Sequence, residues 1–363
     1  MERRPRIGIV VTEPGRRRYF ADRTVQRLSA WADLDWLIRP GTARQPGVPD
    51  DARSQAELAR FAADLDALIV SYGSPRVDAT VLAGAPRLRF IGDTHGDRSA
   101  ARVDLAAAAA HGVVVSDTTN GSSDPVAEWA LALTLIGLRN AGAHFRRLVA
   151  GELLWPDRDV LLRDPGYLNG ELTGKTVGLI ALGNVGRRLV ELLAPFQVKL
   201  LAYDPGAPDV LADVLDLDLT SLERVLAGSD VVVCLVPLTR ASRGLIGADQ
   251  LALLRPGTVF VNVSRGAVVD TEALIARLEV GDLIGCLDVV EPEPLAVDSP
   301  LRQMPNVFLS PHIAGVTDAA EFRFFELMAD EVARVLSGCR PRYRLTPRES
   351  NLDPPTGDNR LVR

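Results

Sequence analysis

The chain has 363 residues and a formal net charge of −6, with 47% apolar and 24% charged residues. Its length favours two domains over one, and its acidic balance argues against a sequence-independent grip on nucleic acid. No apolar run approaches the roughly 18 residues of a membrane span, and Ile7–Val11 is too short for the apolar region of a signal peptide. Three cysteines, Cys234, Cys286 and Cys339, lie far apart in no metal-ligand spacing. They read as reduced core thiols of a cytoplasmic protein without a metal centre.

In chain order, apolar runs predict strands at Arg6–Val11, Asp66–Val70, Leu88–Ile91 and Gly112–Val115. A second series follows at Thr176–Ala181, Val198–Tyr203, Asp230–Leu235, Thr258–Val263, Leu283–Leu287 and Val307–Leu309. These runs are rich in Val, Ile and Leu without strict alternation, as in parallel strands covered on both faces. Helical patterns lie between them. The alanine run 106–110 reads as helix, Thr220-Ser221-Leu222-Glu223 fits a capping box, and Asp270 fits an N-cap. The class is α/β, with two doubly wound parallel-sheet domains joined by right-handed crossovers.

Between the two series lie a long helical stretch, Asp124–Ala150, and a loop-rich insert, Gly151–Gly174. The final helix, Asp318–Leu336, follows the second series and is expected to cross back to the first domain. The expected organisation is therefore 1–118 with 317–340 as one domain and 119–316 as the other. The polar, Pro-rich stretch 341–363 is expected as a mobile tail.

The stretch Ala181-Leu182-Gly183-Asn184-Val185-Gly186 follows a strand and opens a helix. It is a Rossmann-type turn with Ala181 where the first glycine of GxGxxG stands. Gly183 would let the backbone approach a pyrophosphate, and Gly186 would permit close helix–strand packing. Asp204-Pro205 ends the next strand, about twenty residues on, where a carboxylate accepts the hydroxyls of a ribose. A 2′-phosphate there would meet a like charge, so the cofactor is expected to be NAD.

Three later stretches each follow a strand: Asn262-Val263-Ser264-Arg265-Gly266, Leu287-Asp288-Val289-Val290-Glu291-Pro292-Glu293 and Ser310-Pro311-His312-Ile313-Ala314-Gly315. Reducing a 2-oxo acid needs a cation for the carboxylate and carbonyl, an acid for the developing alkoxide, and a hydride donor. Arg265 offers a bidentate fork, His312 a proton, and Glu293 a partner that orients the imidazole and supports its charge. Taken singly, each residue type is more often structural. Together, after successive strands, they form a catalytic set, whereas His95, His111 and His144 have no such supporting motif.

These motifs, with the loop Pro237-Leu238-Thr239, resemble the NAD-dependent D-2-hydroxyacid dehydrogenases over roughly residues 60–340. The resemblance implies catalysis by Arg265, Glu293 and His312, with Asp288 holding the nicotinamide carboxamide. It extends the cofactor contacts to Val236, Pro237, Thr239, Val263, Ser264, Arg265, His312 and Gly315. It also implies an active-site cleft between the two domains and a homodimer formed through the cofactor domain. Formate dehydrogenases of this superfamily carry Gln at the position of Glu293, so Glu293 favours alcohol–carbonyl interconversion. An NAD(H)-sensing corepressor on the same fold is the alternative.

The substrate-binding residues implied are Ser71, Tyr72, Gly73, His95, Gly96, Arg98 and Arg265. Here the sequence departs from the family, whose glycine-rich loop reads Gly92-Asp93-Thr94-His95-Gly96-Asp97-Arg98-Ser99-Ala100-Ala101-Arg102-Val103-Asp104 in this chain. Arg98 or Arg102 would either meet a second acidic group of the substrate or stand as solvated loop arginines.

Overall fold

The computed structural model describes residues 3–43, 51–95, 101–153, 159 and 170–345. The chain divides into two units, Met1–Ser122 with Thr317–Arg363, and Ser123–Val316. The first carries a five-stranded parallel sheet of β1 (Arg6–Thr12), β2 (Asp33–Arg39), β3 (Ala67–Val70), β4 (Phe90–Asp93) and β5 (Val114–Asp117), in the order β2-β1-β3-β4-β5. Alternation along β1 explains its apolar run. Ile7, Ile9 and Val11 pack with Tyr19, Phe325 and Met328 on one face, while Val10 packs with Leu58, Leu68 and Val70 on the other. Burying each such side chain contributes about 1.5–3 kcal/mol.

The helix Asp318–Leu336, capped by the Thr317 hydroxyl on Ala320 N–H, covers the first sheet through Phe325, Met328 and Val332. From the same helix, Glu331 is fully buried and accepts hydrogen bonds from Arg342 N–H, Tyr343 N–H and the Ser116 hydroxyl. Arg344 bridges Ser116 antiparallel, and Leu345 N–H donates to Val115 O at 2.8 Å. The start of the expected tail is thus docked rather than mobile, because a buried carboxylate holds its backbone amides. Residues 346–363 lie outside the described residues.

The second unit carries a seven-stranded parallel sheet in the order β12-β11-β10-β9-β6-β7-β8. Its strands are β6 (Thr176–Ile180), β7 (Lys199–Tyr203), β8 (Asp218–Leu219), β9 (Val231–Cys234), β10 (Val259–Asn262), β11 (Ile284–Leu287) and β12 (Val307–Leu309). Val177, Leu179, Val231 and Val233 belong to the core on one face, and Ile180, Val232, Cys234 and Phe260 to the core on the other. Both sheets are therefore doubly wound.

Several expectations need correction. β2 was not expected, because Asp33, Asp35 and Arg39 interrupt its apolar pattern; it is a half-exposed edge strand. The two-residue edge strand β8 gives no pattern at all. β4 and β5 run two residues further than expected, to Asp93 and Asp117. The long helix is two helices, Ser123–Leu138 and Ala141–Val149, broken where Asn140 turns left-handed at φ 46. Ser221, not Thr220, caps its helix by accepting from Arg224 N–H. Cys234 and Cys286 are core thiols as expected, but Cys339 is exposed, because it follows the end of the last helix. Most of the expected insert 151–174 lies outside the described residues.

Candidate active site

In the second sheet the strand order reverses between β6 and β9, the switch point outside which open α/β sheets bind ligands. β6 leads into the turn Ala181-Leu182-Gly183 and the helix Asn184–Leu193. Ala181 has φ 86, the left-handed conformation that glycine adopts freely, so the turn keeps its shape despite the alanine. A Cβ on Gly186 would lie 2.6 Å from Ala181 O, which explains why only glycine permits this helix–strand approach. At Gly183 an added Cβ meets nothing within 4 Å. The helix starting at Asn184 and Val185 has no side-chain cap hydrogen bond at its N-cap, Gly183, as an anion site at its first turn requires.

Asp204 closes this turn. Its Oδ2 accepts from Leu182 N–H at 2.8 Å and its Oδ1 from Gly206 N–H at 2.9 Å, with the exposed Pro205 between. Each carboxylate oxygen retains acceptor capacity for ribose hydroxyls. After β9 comes Val236-Pro237-Leu238-Thr239. There the Ser242 hydroxyl donates to Pro237 O and accepts from Thr239 N–H, both at 2.7 Å, which fixes the loop. This amide-lined turn with its carboxylate fits a dinucleotide.

Arg265, Glu293 and His312 leave the carboxyl ends of three neighbouring strands, β10, β11 and β12. Asn262 ends β10 and shapes the Arg265 turn, a role that its place in the motif does not reveal. Its Oδ1 accepts from Ser264 N–H at 3.0 Å and Ser264 Oγ at 2.7 Å, and its Nδ2 donates to Arg265 O at 3.4 Å. Arg265 is half-buried and its Nη1 donates to Ser264 O at 2.8 Å. A Cβ on Gly266 would lie 1.9 Å from Val290 O, so the Arg265 turn packs directly on the loop leading to Glu293. Val263 and Ser264 are buried beneath, with Ser264 Oγ 3.3 Å from the Cys234 sulfur. Burial pushes the Cys234 thiol up.

His312 Nδ1 lies 2.7 Å from Glu293 Oε1. His312 is left-handed at φ 52, and the conformation is held from below. Asp288 is only 2% exposed; its carboxylate accepts from Ile313 N–H and Ala314 N–H, both at 3.0 Å, and from the Ser310 hydroxyl. Its carbonyl accepts from His312 N–H at 2.9 Å, and half-buried Gly315 follows. Trp129 Nε1 donates to Ser310 Oγ at 3.0 Å. Asp288 thus organises the His312 loop in addition to the nicotinamide contact the sequence implied. Nothing in the sequence pattern points to Trp129, which lies 181 residues from Ser310.

In the first unit, β3 leads into Ser71-Tyr72-Gly73 and β4 into Thr94-His95. Ser71 Oγ and Thr94 Oγ1 lie 3.1 and 2.7 Å from His95 Nδ1. Arg102 is buried, and its Nη1 donates to Asp93 Oδ1 at 3.2 Å and His95 O at 3.0 Å. It is neither a solvated loop arginine nor an open cation, because β4 runs on to bury Asp93 beside it. Gly96 and Arg98 lie outside the described residues. His111 caps a helix end through Ala107 O, and His144 is buried in the helix Ala141–Val149.

Residues 131–314 match the family described as D-isomer specific 2-hydroxyacid dehydrogenase, NAD binding domain. The chain is 35% identical over 295 residues to a glyoxylate reductase of Thermofilum pendens, covering 79% of this chain and 83% of that one. It is 32% identical to a D-3-phosphoglycerate dehydrogenase of Archaeoglobus fulgidus, over 78% of this chain and 52% of the relative. A phosphoglycerate oxidoreductase structure from Rhizobium etli superposes with TM-score 0.76 at 23% identity, covering 94% and 98% of the two chains, and shares the fold. The glycine turn with Asp204, the paired His312 and Glu293, and these matches agree: the chain belongs to the D-isomer specific 2-hydroxyacid dehydrogenase family and carries its NAD-binding domain.

Proposed function

We propose that this protein interconverts a D-2-hydroxy acid and a 2-oxo acid with NAD(H), and that residues 119–316 bind the cofactor. Bound NADH supplies the hydride that reduces C2 of the oxo acid. Arg265 anchors the carboxylate and carbonyl through its guanidinium fork. His312 gives a proton from Nε2 to the carbonyl oxygen as the C–H bond forms, and regains it from solvent afterwards. Glu293 receives the Nδ1–H, which fixes the tautomer and stabilises the imidazolium. In the oxidising direction His312 takes the hydroxyl proton instead. The observation that carries this reading is the 2.7 Å contact between His312 Nδ1 and Glu293 Oε1 at the carboxyl edge of a dinucleotide-binding sheet.

Residues 1–118 and 317–340 are assigned to the substrate. Relatives named as reductases and dehydrogenases favour the enzyme over the NAD(H)-sensing corepressor. Asp204 with no adjacent cation favours NADH over NADPH. Free thiols at Cys234 and Cys286 favour a reducing, cytoplasmic setting. Exposed Phe145, Leu148 and Val149 on the helix Ala141–Val149 give the cofactor unit an apolar face suited to a homodimer. Among the described residues, no helix is long and apolar enough to cross a membrane. The test is to follow NADH absorbance with a panel of 2-oxo acids. Turnover of at least one supports the reading, and turnover of none overturns it.

A further inference from the structure

The first sheet has its own switch point. In the order β2-β1-β3-β4-β5 the winding reverses between β1 and β3, so the loops leaving β1, β3 and β4 meet at one end of the sheet. That end is walled by rings. His95 lies 4.4 Å from Tyr19, 4.6 Å from Tyr72 and 4.9 Å from Phe324, centroid to centroid. The Ser71 and Thr94 hydroxyls fix the imidazole, and the Arg102 guanidinium lies 5.2 Å over the Tyr72 ring. Tyr19 is fully buried behind the others, while Tyr72, His95 and Phe324 are half-buried and present their remaining surface.

Among the described residues, the guanidiniums beside these rings are bonded within the protein, two of them to carboxylates. Arg102, 7% exposed, is bonded to both oxygens of Asp93, which is fully buried. Arg18, next to Tyr19, is bonded twice to Glu321 at 2.6 Å. Arg323, next to Phe324, donates to Gly121 O at 2.9 Å. A phosphate or second carboxylate brought here would be desolvated against aromatic faces, with the adjacent guanidinium already neutralised. A flat uncharged group would stack on a prearranged frame without that penalty.

We infer that this ring cluster selects 2-oxo acids whose side chain is uncharged and apolar, best filled by an aryl group, and disfavours phosphorylated or dicarboxylic acids. The inference rests on the reading of the chain as a 2-oxo acid reductase and deepens it.

The experiment compares kcat/KM of the full-length enzyme with NADH for phenylpyruvate, glyoxylate, 3-phosphohydroxypyruvate and 2-oxoglutarate. Phenylpyruvate is expected to exceed both dianions by roughly tenfold or more, the discrimination an apolar site supplies. If 3-phosphohydroxypyruvate or 2-oxoglutarate equals or exceeds phenylpyruvate, the inference is overturned. Reduction of glyoxylate without phenylpyruvate overturns it alone, whereas reduction of none of the four removes the underlying function as well.

Two variants separate shape from charge. Tyr72→Ala should lower kcat/KM for phenylpyruvate about tenfold more than for glyoxylate, chiefly through KM, and Tyr72→Phe should restore it. Equal losses on the two acids would contradict the ring frame. Asp93→Asn leaves Arg102 unneutralised, with an Nε–H that has no partner among the described residues. Its ratio of 3-phosphohydroxypyruvate to phenylpyruvate activity should rise about tenfold. An unchanged ratio in a variant that melts like the wild type would contradict the charge argument.

Discussion

His312 Nδ1 and Glu293 Oε1 lie 2.7 Å apart, on loops that leave adjacent strands. A carboxylate at that distance accepts a hydrogen bond from Nδ1–H and leaves Nε2 for proton exchange with substrate. Glu293→Gln keeps the hydrogen bond and removes the charge. Reduction by this variant should therefore be slower than in the wild type, though less so than on removal of the imidazole itself, with NADH affinity intact. The check is kcat/KM beside NADH binding. Wild-type turnover would show that Glu293 does not support the charge of His312.

Arg265 is held by its own turn, with Gly266 packed on Val290 and Nη1 on Ser264 O. A point ammonium cannot reproduce a planar fork in that frame, so Arg265→Lys should not rescue activity. The expected loss in kcat/KM is about 1.5–3 kcal/mol, the range for hydrogen bonds to charged groups, with NADH affinity nearly intact. Near-normal turnover would show that Arg265 does not anchor the substrate.

Ala181 occupies a left-handed position at φ 86, a strain that glycine would not bear. Relief of that strain exceeds the entropy cost of glycine, so Ala181→Gly should stabilise the protein by about 0.5–1 kcal/mol. Thermal or urea unfolding measures it. A destabilised variant would mean that the alanine methyl makes contacts worth more than the strain.

Burial sets the reactivity of the thiols. The Cys286 thiol is pushed up to about 12 and the Cys234 thiol is also raised, while Cys339 is exposed. At pH 8 about one Cys286 in ten thousand would be thiolate. A thiol reagent should therefore titrate one fast cysteine in the native protein and three after unfolding. Three fast cysteines at pH 8 would contradict the buried placement.

The α/β class was legible because strands covered on both faces leave apolar runs, as Val231–Cys234 and Val259–Asn262 do. Arg265, Glu293 and His312 were legible because each stands just past such a run. β2 was hidden by Asp33, Asp35 and Arg39, which an edge strand tolerates on its half-exposed faces. The break at Asn140 has a weak local signal, an asparagine that tolerates the left-handed conformation between Gly137 and Gly142, but the helical pattern resumes on both sides and masks it. Nor did the sequence disclose that Arg102 turns inward. Its partner Asp93 is nine residues away and becomes buried only when β4 extends past the expected end. Trp129, Ser310 and Asp288 meet only through tertiary packing.

The central claim is that His312 donates the proton as the oxo acid is reduced. Its most direct test is steady-state NADH oxidation by His312→Ala with the best 2-oxo acid of the panel, alongside NADH binding by fluorescence. General acid catalysis typically contributes 10²–10⁴-fold, so turnover should fall by about that factor while NADH binds as in the wild type. Turnover within about tenfold of wild type, with binding intact, would remove His312 from the role assigned to it here.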